Sequence, residues 1–299
     1  MLSSGKMSLD RQAGIPTFSM TSVFRFAPSP NGHLHLGHAF SALLNAQAAR
    51  DSGGRLLLRI EDIDVTRCRP AYAEHIFEDL AWLGLRWEEP VLWQSRNMPA
   101  YRQALDKLAA LDLLYPSLAS RKDVARAVAA AGVTWPRDPD GAPHHPRAAL
   151  HDDADPARLA AGEPHALRLD MAKALASAPP LSWAEAGEGS AAADPGRWGD
   201  VILARQEFAA SYHIAVVVDD AAQGVSDVIR GRDLYQATAL HRLLQHLLGL
   251  PAPRYRHHAL IEGTAGEKLS KSLASKSLRN LRAEGVTPAM IRTRLGFQA

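Results

Sequence analysis

The stretch VFRFAPSPNGHLHLGH, residues 23–38, constrains the fold more than any other part of the chain. It opens with the β-branched and aromatic residues of a strand, which prolines and a glycine then interrupt. Apolar residues recur at helical spacing over 35–50, and LLLRIED at 56–62 has the length of a second strand. A strand, a tight loop, a helix and a strand in this order predict a βαβ unit, the start of a parallel sheet.

The rest of the chain continues this alternation around an irregular middle part. The patterns predict helices at about 70–83, 99–114 and 233–248 and strands at 199–205, 212–220 and 255–261. The run IAVVV inside 212–220 is the strongest signal of a buried strand. At about 110–198, Ala, Pro, Asp and His recur with little periodicity. We therefore predict an α/β fold, a doubly wound parallel sheet split by an inserted α/β or irregular subdomain, with ligands at the carboxyl ends of its strands.

Composition and charge narrow the classes of function. The 299 residues carry a formal net charge of +2 and a pI near 8.7, so any nucleic-acid surface must be local. The one cysteine, Cys68, excludes an internal disulfide and thiolate-rich metal clusters and indicates a reducing compartment. Residues 1–22 are mixed and polar, typical of a disordered extension rather than of a secretory signal. No apolar run could cross a bilayer, so we expect a cytoplasmic protein with no membrane partner.

His35 and His38 stand at the predicted helix start, on either side of Gly37. A zinc site would need at least a third ligand, because this spacing supplies two at best. The histidines could also be helix caps or buried polar groups. A nucleotide site fits the chemistry better, since the glycine permits close approach while the helix N-terminus and two imidazoles donate to phosphate.

A lysine-serine loop, KLSKS at 268–272, follows two glycines near the end of the chain. Lys268 and Lys271 could fold over a polyphosphate and offset the negative charge of a transition state. The alternative is a solvated basic turn, which is the more common fate of two lysines at this spacing. From Lys268 to Arg294, seven basic residues stand against one acidic residue, Glu284, and this local excess favours phosphate.

HLGH near the start and KLSKS near the end of one α/β chain form a far more specific pair than either motif alone. In this pair the chain resembles the class I aminoacyl-tRNA synthetases, whose signatures are HIGH and KMSKS. More narrowly, RFAPSPNGHLHLGH, LLLRIEDID, YHIAVVVDDAAQGVSDVIRGRDL and KLSKS resemble the glutamyl-tRNA synthetase group, over about 23–110 and 199–275. The resemblance implies a Rossmann-type catalytic domain over 23–299.

The resemblance also implies two substrate sites. The glutamate site would be formed by Arg25, Phe26, Ala27, Pro28, Ser29, Glu61, Tyr212 and Arg230. The ATP site would be formed by His35, Gly37, His38, Lys268 and Lys271, with His35, His38 and Lys271 as the catalytic residues and Mg²⁺ on the phosphates. The chemistry suits glutamate, because Arg25 and Arg230 can each bind a carboxylate and Glu61 the ammonium group. Glutaminyl enzymes typically carry another residue pair where this chain has Ala27 and Ser29, which favours glutamate over glutamine.

Only 27 residues follow Ser272, so we expect no helical anticodon-binding region. Such a short form resembles the glutamyl-Q tRNA(Asp) synthetases, as do VLWQS at 91–95 and AYRQAL at 100–105. This resemblance implies a ligase that transfers glutamate to the queuosine base in the anticodon loop of tRNA-Asp, and we expect a monomer. Many of these enzymes hold a zinc through cysteines that residues 115–121 lack here, so we predict no zinc and no other metal held by the protein.

Three alternatives stay open. The first is a truncated glutamyl-tRNA synthetase-like enzyme that charges another tRNA. The second is a nucleotidyltransferase of the HxGH type, against which the RFAPSP and VVVDD segments argue. The third is a non-catalytic tRNA-binding or regulatory protein derived from a synthetase, against which the intact HLGH and KLSKS motifs argue.

Overall fold

The computed structural model describes residues 21–150, 153–205, 210–261 and 276–298. Residues 1–20 of the predicted extension and the KLSKS loop lie outside these ranges. The strands are β1 (Val23–Phe26), β2 (Arg55–Ile60), β3 (Glu88–Trp93), β4 (Leu114–Ser117), β5 (Ala166–Leu169), β6 (Ser182–Glu185), β7 (Gly189–Ala192), β8 (Ile202–Arg205), β9 (Asp227–Gly231) and β10 (Arg254–His258). The α-helices are α1 (Leu36–Asp51), α2 (Pro70–Trp82), α3 (Met98–Ala110), α4 (Arg121–Ala130), α5 (Pro156–Ala160), α6 (Met171–Ala176), α7 (Tyr212–Ala222), α8 (Ala237–Leu248), α9 (Leu278–Ala283) and α10 (Pro288–Arg294).

The large sheet has the strand order β3-β2-β1-β9-β10-β6-β7, and its neighbouring strands are parallel except for β6 and β7. From β1 the chain moves outward to β2 and β3, and from β9 it moves the other way to β10. The winding therefore reverses between β1 and β9, and the predicted doubly wound α/β fold is confirmed. Sheets of this kind bind ligands beyond the carboxyl ends of the strands at such a reversal.

Successive residues of β1 face opposite sides of the sheet. Phe24 and Phe26 pack on the side of α1. Val23 lies in a core cluster with Ala239 of α8, and Arg25 reaches Asp220 of α7. The strand alternation thus directs one arginine of the predicted glutamate site toward α7. No helix in the described ranges is long and apolar enough to span a membrane.

Residues 212–220, predicted as a buried strand, form most of α7. The prediction was wrong because the valines and their neighbours are buried in a core shared with α3 and α8. A short apolar run has no visible period when every side of the element is enclosed. The β-branched residues cost a helix less than about 1 kcal/mol each, and burial of a valine side chain gains about 1.5 kcal/mol or more.

The segment at about 110–198, predicted as an insertion, contributes to both sheets. Its strands β4 and β5 join β8 in a small antiparallel sheet of order β4-β5-β8. The predicted strand at 199–205 therefore belongs to the small sheet. The hairpin of β6 and β7 extends the large sheet beyond β10. The central parallel strand expected from 212–220 is instead β9, which the sequence patterns did not mark.

Candidate active site

A cavity of about 380 Å³ lies at the carboxyl ends of β1 and β9. The predicted site residues within the described ranges line it together: Arg25, Phe26, Ala27, Pro28, Ser29, His35, Gly37, His38, Glu61, Tyr212 and Arg230. Residues that the sequence analysis did not assign to either substrate site complete the wall: Ser41, Ile229, Gly231, Asp233, Leu234, His258, Leu260 and Ile261. Its volume lies within the ~300–1,000 Å³ typical of small-molecule sites. Lys268 and Lys271 lie outside the described residues.

The backbone at the start of α1 holds both motif histidines. His35 is the N-cap residue, and its Nδ1 accepts a hydrogen bond from the Gly37 N–H at 3.1 Å. His38 Nδ1 accepts from the His35 N–H at 3.2 Å. A ring nitrogen that accepts carries no proton, so each neutral ring carries its proton on Nε2. Neither Nε2 has a hydrogen-bond partner within the described ranges, so both N–H donors remain for a ligand in the cavity.

The same two rings are uncharged at neutral pH. Burial lowers the pKa of His35 below its ordinary value. Burial, and after it the charge of His35, lowers the pKa of His38 to about 4. The ring centroids are 3.9 Å apart, a separation at which two charged imidazoles would repel strongly. The pair therefore supplies N–H dipoles to an anion without two positive charges.

Arg25 is held from behind by α7. Its Nε donates to Asp220 Oδ1 at 3.1 Å, and the same oxygen accepts from Arg59 Nη1 at 2.7 Å. Arg25 is only 4% exposed and lines the cavity. Its two terminal nitrogens have no hydrogen-bond partner among the residues that the structure describes. The guanidinium thus keeps its two-pronged edge for a carboxylate.

Asp220 and Glu61, the carboxylates beside Arg25 and Arg59, differ in pKa and in hydrogen bonding. Burial would raise the pKa of Asp220, but Arg25 and Arg59 outweigh burial and hold that pKa below its ordinary value. Burial raises the pKa of Glu61, and the nearby Arg59 only partly opposes the rise. Arg59 donates to Oε1 of Glu61, whereas Oε2 has no partner in the described part of the chain. Asp220 is committed to the arginines, and Glu61 keeps an oxygen for a ligand.

Asp219, the neighbour of Asp220, fixes the end of α7. Its Oδ2 accepts from Gln94 Nε2 at 2.7 Å and from the Tyr101 hydroxyl at 2.8 Å, and its Oδ1 accepts from Asn97 Nδ2 at 2.7 Å. Gln94 and Tyr101 belong to VLWQS and AYRQAL, the two segments that resembled the short enzymes. These segments therefore position α7, and through it Arg25.

Arg230 is the second arginine of the cavity, and all its donors are in use. Its N–H groups donate to His257 Nε2 (3.1 Å), the Tyr212 hydroxyl (3.3 Å), His241 Nδ1 (3.2 Å), the Leu234 carbonyl (3.2 Å) and Thr238 Oγ1 (2.8 Å). The longest contact is the one to Tyr212, which lines the cavity together with Arg230. A carboxylate that binds Arg230 therefore has to share or replace the contact to Tyr212.

The described residues on the two sides of 262–275 lie at the cavity and beside the HLGH motif, respectively. On one side Ile261 lines its wall. On the other, the Leu278 N–H donates to the Leu34 carbonyl at 2.7 Å, beside the motif histidines. The roles of the two motif lysines stay predictions.

Ser117 and Ala119, in the segment 115–121 where the resemblance would place zinc-binding cysteines, both contact the Asp153 carboxylate. Asp153 Oδ1 accepts from Ser117 Oγ at 2.8 Å and from the Ala119 N–H at 2.7 Å, and Oδ2 lies 2.6 Å from His145 Nε2. A hydroxyl, a peptide N–H and one imidazole are a poor set for zinc. No group of three or more His, Cys, Asp or Glu gathers as a metal site within the described ranges. These residues do not fit a structural zinc. Hydrogen bonds to Asp153 connect Ser117, Ala119 and His145 instead.

The family described as tRNA synthetases class I (E and Q), catalytic domain, matches residues 21–298. The chain therefore belongs to the class I tRNA synthetases of the glutamate and glutamine type, and it is a ligase of the aminoacyl-tRNA synthetase type. Within that family, the resemblance to the glutamyl-Q tRNA(Asp) synthetases is confirmed by the relatives described next.

Two relatives carry the name glutamyl-Q tRNA(Asp) synthetase. The one from Rhodobacter capsulatus is 45% identical over 279 residues, which cover 92% of this chain and 100% of that protein. The one from Albidiferax ferrireducens is 38% identical over 273 residues, 86% of each chain. A crystal structure of a glutamate tRNA ligase from Elizabethkingia meningosepticum, in complex with its amino acid, matches with a TM-score of 0.69 at 25% identity. That match covers 89% of this chain and 53% of the ligase, so this chain spans about half of it.

Proposed function

We propose that the chain activates L-glutamate with ATP and transfers the glutamyl group to the queuosine base in the anticodon loop of tRNA-Asp. One observation carries the proposal: a single cavity brings together an open guanidinium edge, a carboxylate oxygen and two neutral imidazole donors. The relatives named glutamyl-Q tRNA(Asp) synthetase support the choice of acceptor. A cytoplasmic location and a monomeric state remain predictions from the sequence.

Glutamate would be recognised by its two carboxylates and its ammonium group. The open edge of Arg25 binds one carboxylate through two parallel hydrogen bonds. Oε2 of Glu61 accepts from the ammonium group. The second carboxylate meets the edge formed by Arg230 and the Tyr212 hydroxyl. Glutamine lacks one of these charges and would leave an arginine without its carboxylate.

ATP would lie against the N-terminus of α1. An oxygen of the substrate α-carboxylate attacks the α-phosphorus, a new P–O bond forms, and the bond to the β-phosphate breaks to release pyrophosphate. The Nε2–H groups of His35 and His38 donate to phosphate oxygens, and Lys268 and Lys271 add positive charge in this proposal. Mg²⁺ bound to the phosphates would neutralise part of their charge.

Transfer completes the reaction. A hydroxyl of queuosine attacks the glutamyl carbonyl, an ester forms and AMP leaves. The test is incorporation of radiolabelled glutamate into three purified RNAs: tRNA-Asp with queuosine, the same tRNA without it, and tRNA-Glu. We expect label in the first alone. Label in tRNA-Glu, or equal label in both forms of tRNA-Asp, would overturn the acceptor that we propose.

Gly37→Ala tests how closely the motif packs around His35. An added Cβ would lie 3.0 Å from Cε1 and 3.1 Å from Nδ1 of the imidazole, so the ring must move. We expect glutamate-dependent pyrophosphate exchange to slow about tenfold, because a misplaced donor costs of the order of one hydrogen bond to a charged group. The matched control is Gly32→Ala in the same loop, where the Cβ would have no neighbour within 4 Å. Equal rates for the two variants would contradict the role of His35.

Asp153→Ala tests how the segment around β4 is held without zinc. The substitution leaves the groups on Ser117, Ala119 and His145 without their acceptor, and buried donors left unpaired cost about 1–3 kcal/mol each. We expect the Tm to fall by roughly 5–10 °C, while a metal chelator leaves the Tm of the unchanged protein where it was. Asp106→Ala, at an exposed position, is the control. A large fall with chelator would show a structural metal and contradict this account.

A further inference from the structure

We propose that Glu185 and His257 are positioning residues for glutamate recognition, which orient the Arg230 guanidinium without touching the ligand. The inference rests on the proposed glutamate site and extends it to two side chains that do not line the cavity. Glu185 comes from β6, in the segment predicted as an insertion, and His257 from β10. No motif in the sequence connects the two residues.

The three side chains form a chain of hydrogen bonds across neighbouring strands. His257 and Arg230 are register partners in the parallel pair of β10 and β9. Arg230 Nε lies 3.1 Å from His257 Nε2, and His257 Nδ1 lies 2.8 Å from Glu185 Oε2. An arginine nitrogen can only donate, so His257 Nε2 must accept and carry no proton. The imidazole proton is therefore on Nδ1 and is donated to Glu185.

A carboxylate is needed at position 185. Oε1 of Glu185 accepts from the backbone N–H of His257 at 2.8 Å. Oε2 accepts from Trp183 Nε1 at 2.9 Å in addition to the His257 ring. Three donors thus surround two oxygens in a group that is only 5% exposed. A glutamine amide would set its NH₂ group against one of these donors. The least costly alternative is for the amide to donate to His257 Nδ1. The imidazole proton would then have to be on Nε2, where it would face the Arg230 N–H and remove the acceptor for that donor.

The neutral His257 ring also lies between two opposite charges, the Arg230 guanidinium and the Glu185 carboxylate. Arg25 and Arg59 share the Asp220 carboxylate, whereas every hydrogen-bond partner of Arg230 in the described ranges is a neutral group. Burial, and after it the charge of Arg230, lowers the pKa of His257 and keeps the ring neutral. No hydrogen-bonded carboxylate within the described residues therefore neutralises Arg230. Its positive charge favours a carboxylate ligand over an amide.

Kinetics separate positioning from a general structural role. We expect His257→Leu, which removes the acceptor at similar volume, to raise the KM for glutamate about tenfold while the KM for ATP changes less than twofold. His257→Gln restores an acceptor near the Nε2 position and should recover most of that loss. Glu185→Gln should resemble His257→Leu. Glu188→Gln, which removes an exposed carboxylate from the same hairpin, should behave as the unchanged protein. Parallel rises in both KM values, or a glutamate KM unchanged in His257→Leu, would overturn the inference.

The tautomer of His257 can be measured by NMR, without an activity assay of any variant. Long-range ¹H–¹⁵N correlation spectra of the imidazole groups at pH 7, with the His257 signals assigned by their loss in His257→Gln, should show the proton on Nδ1. A proton on Nε2, or on both nitrogens, would overturn the proposed chain of hydrogen bonds. If glutamate supports no exchange at all, the proposed function fails, whereas the tautomer still decides whether Glu185 and His257 orient Arg230.

Discussion

Arg25→Ala is expected to raise the KM for glutamate by about 100-fold or more in pyrophosphate exchange. The terminal nitrogens of Arg25 are guanidinium donors that remain open to a ligand in the cavity, and two hydrogen bonds to a carboxylate are worth about 1.5–3 kcal/mol each. The KM for ATP should change less than twofold, since the ATP site that we propose is at the N-terminus of α1 and not at Arg25.

Arg25→Lys is the matched variant for this effect. It keeps a positive charge near Asp220 but offers a point charge in place of a two-pronged edge. We expect a glutamate KM about tenfold above that of the unchanged protein. If the glutamate KM of Arg25→Lys equals that of Arg25→Ala, the effect comes from the two-pronged guanidinium edge alone and not from the positive charge. Equal effects on glutamate and ATP in the alanine variant would contradict the role of Arg25.

Asp220→Ala is expected to lower the free energy of unfolding by about 3 kcal/mol and the Tm by roughly 10 °C at pH 7. The substitution leaves Arg25 and Arg59 without the oxygen that they share, and removing one partner of a buried ion pair costs about 3–5 kcal/mol. Thermal unfolding followed by circular dichroism measures the change. Asp106→Ala, in an exposed position on α3, should shift the Tm by less than about 2 °C.

The Asp220 contribution should depend on pH in one direction. In spite of its burial, the two arginines hold the pKa of Asp220 below its ordinary value in the folded protein. A depressed pKa stabilises the fold fully above the unfolded value of about 4, and the stabilisation disappears as the pH falls through the folded pKa. The Tm difference between Asp220→Ala and the unchanged protein should therefore be largest near neutral pH and shrink below about pH 4. A difference that grows in acid would contradict the assignment.

Local signals were enough to predict the first βα unit. Two prolines, a glycine and a change of hydrophobic period mark the loop between β1 and α1 within sixteen residues, 23–38. Such signals depend on neighbours in the chain. Residues 23–38 contain every predicted residue that lines the cavity except Glu61, Tyr212 and Arg230. The same type of signal gave α2 and α3 within a few residues of their observed bounds.

Partners that meet only in the folded chain could not be predicted in this way. Apart from Trp183, strands β6 and β7 consist of Ala, Ser, Gly and Glu, which carry little strand preference, so the sequence does not predict that Glu185 lies beside β10. The sequence predicts Asp219 and Asp220 as the end of a strand, whereas both lie in helix α7. Their partners Gln94, Tyr101 and Arg59 lie more than a hundred residues away in the sequence. Their roles follow from the packing of α7 against α3, which local periodicity does not encode.

The central claim is that this cavity activates glutamate, and pyrophosphate exchange tests it most directly. Purified protein, ATP, Mg²⁺ and labelled pyrophosphate are combined without tRNA, and glutamate, glutamine and aspartate are offered one at a time. The account predicts exchange of label into ATP with glutamate, far slower exchange in Arg25→Ala at a glutamate concentration near the KM of the unchanged protein, and at most a small signal with the other two amino acids. Exchange that is faster with glutamine or aspartate, or absent with glutamate, would contradict it.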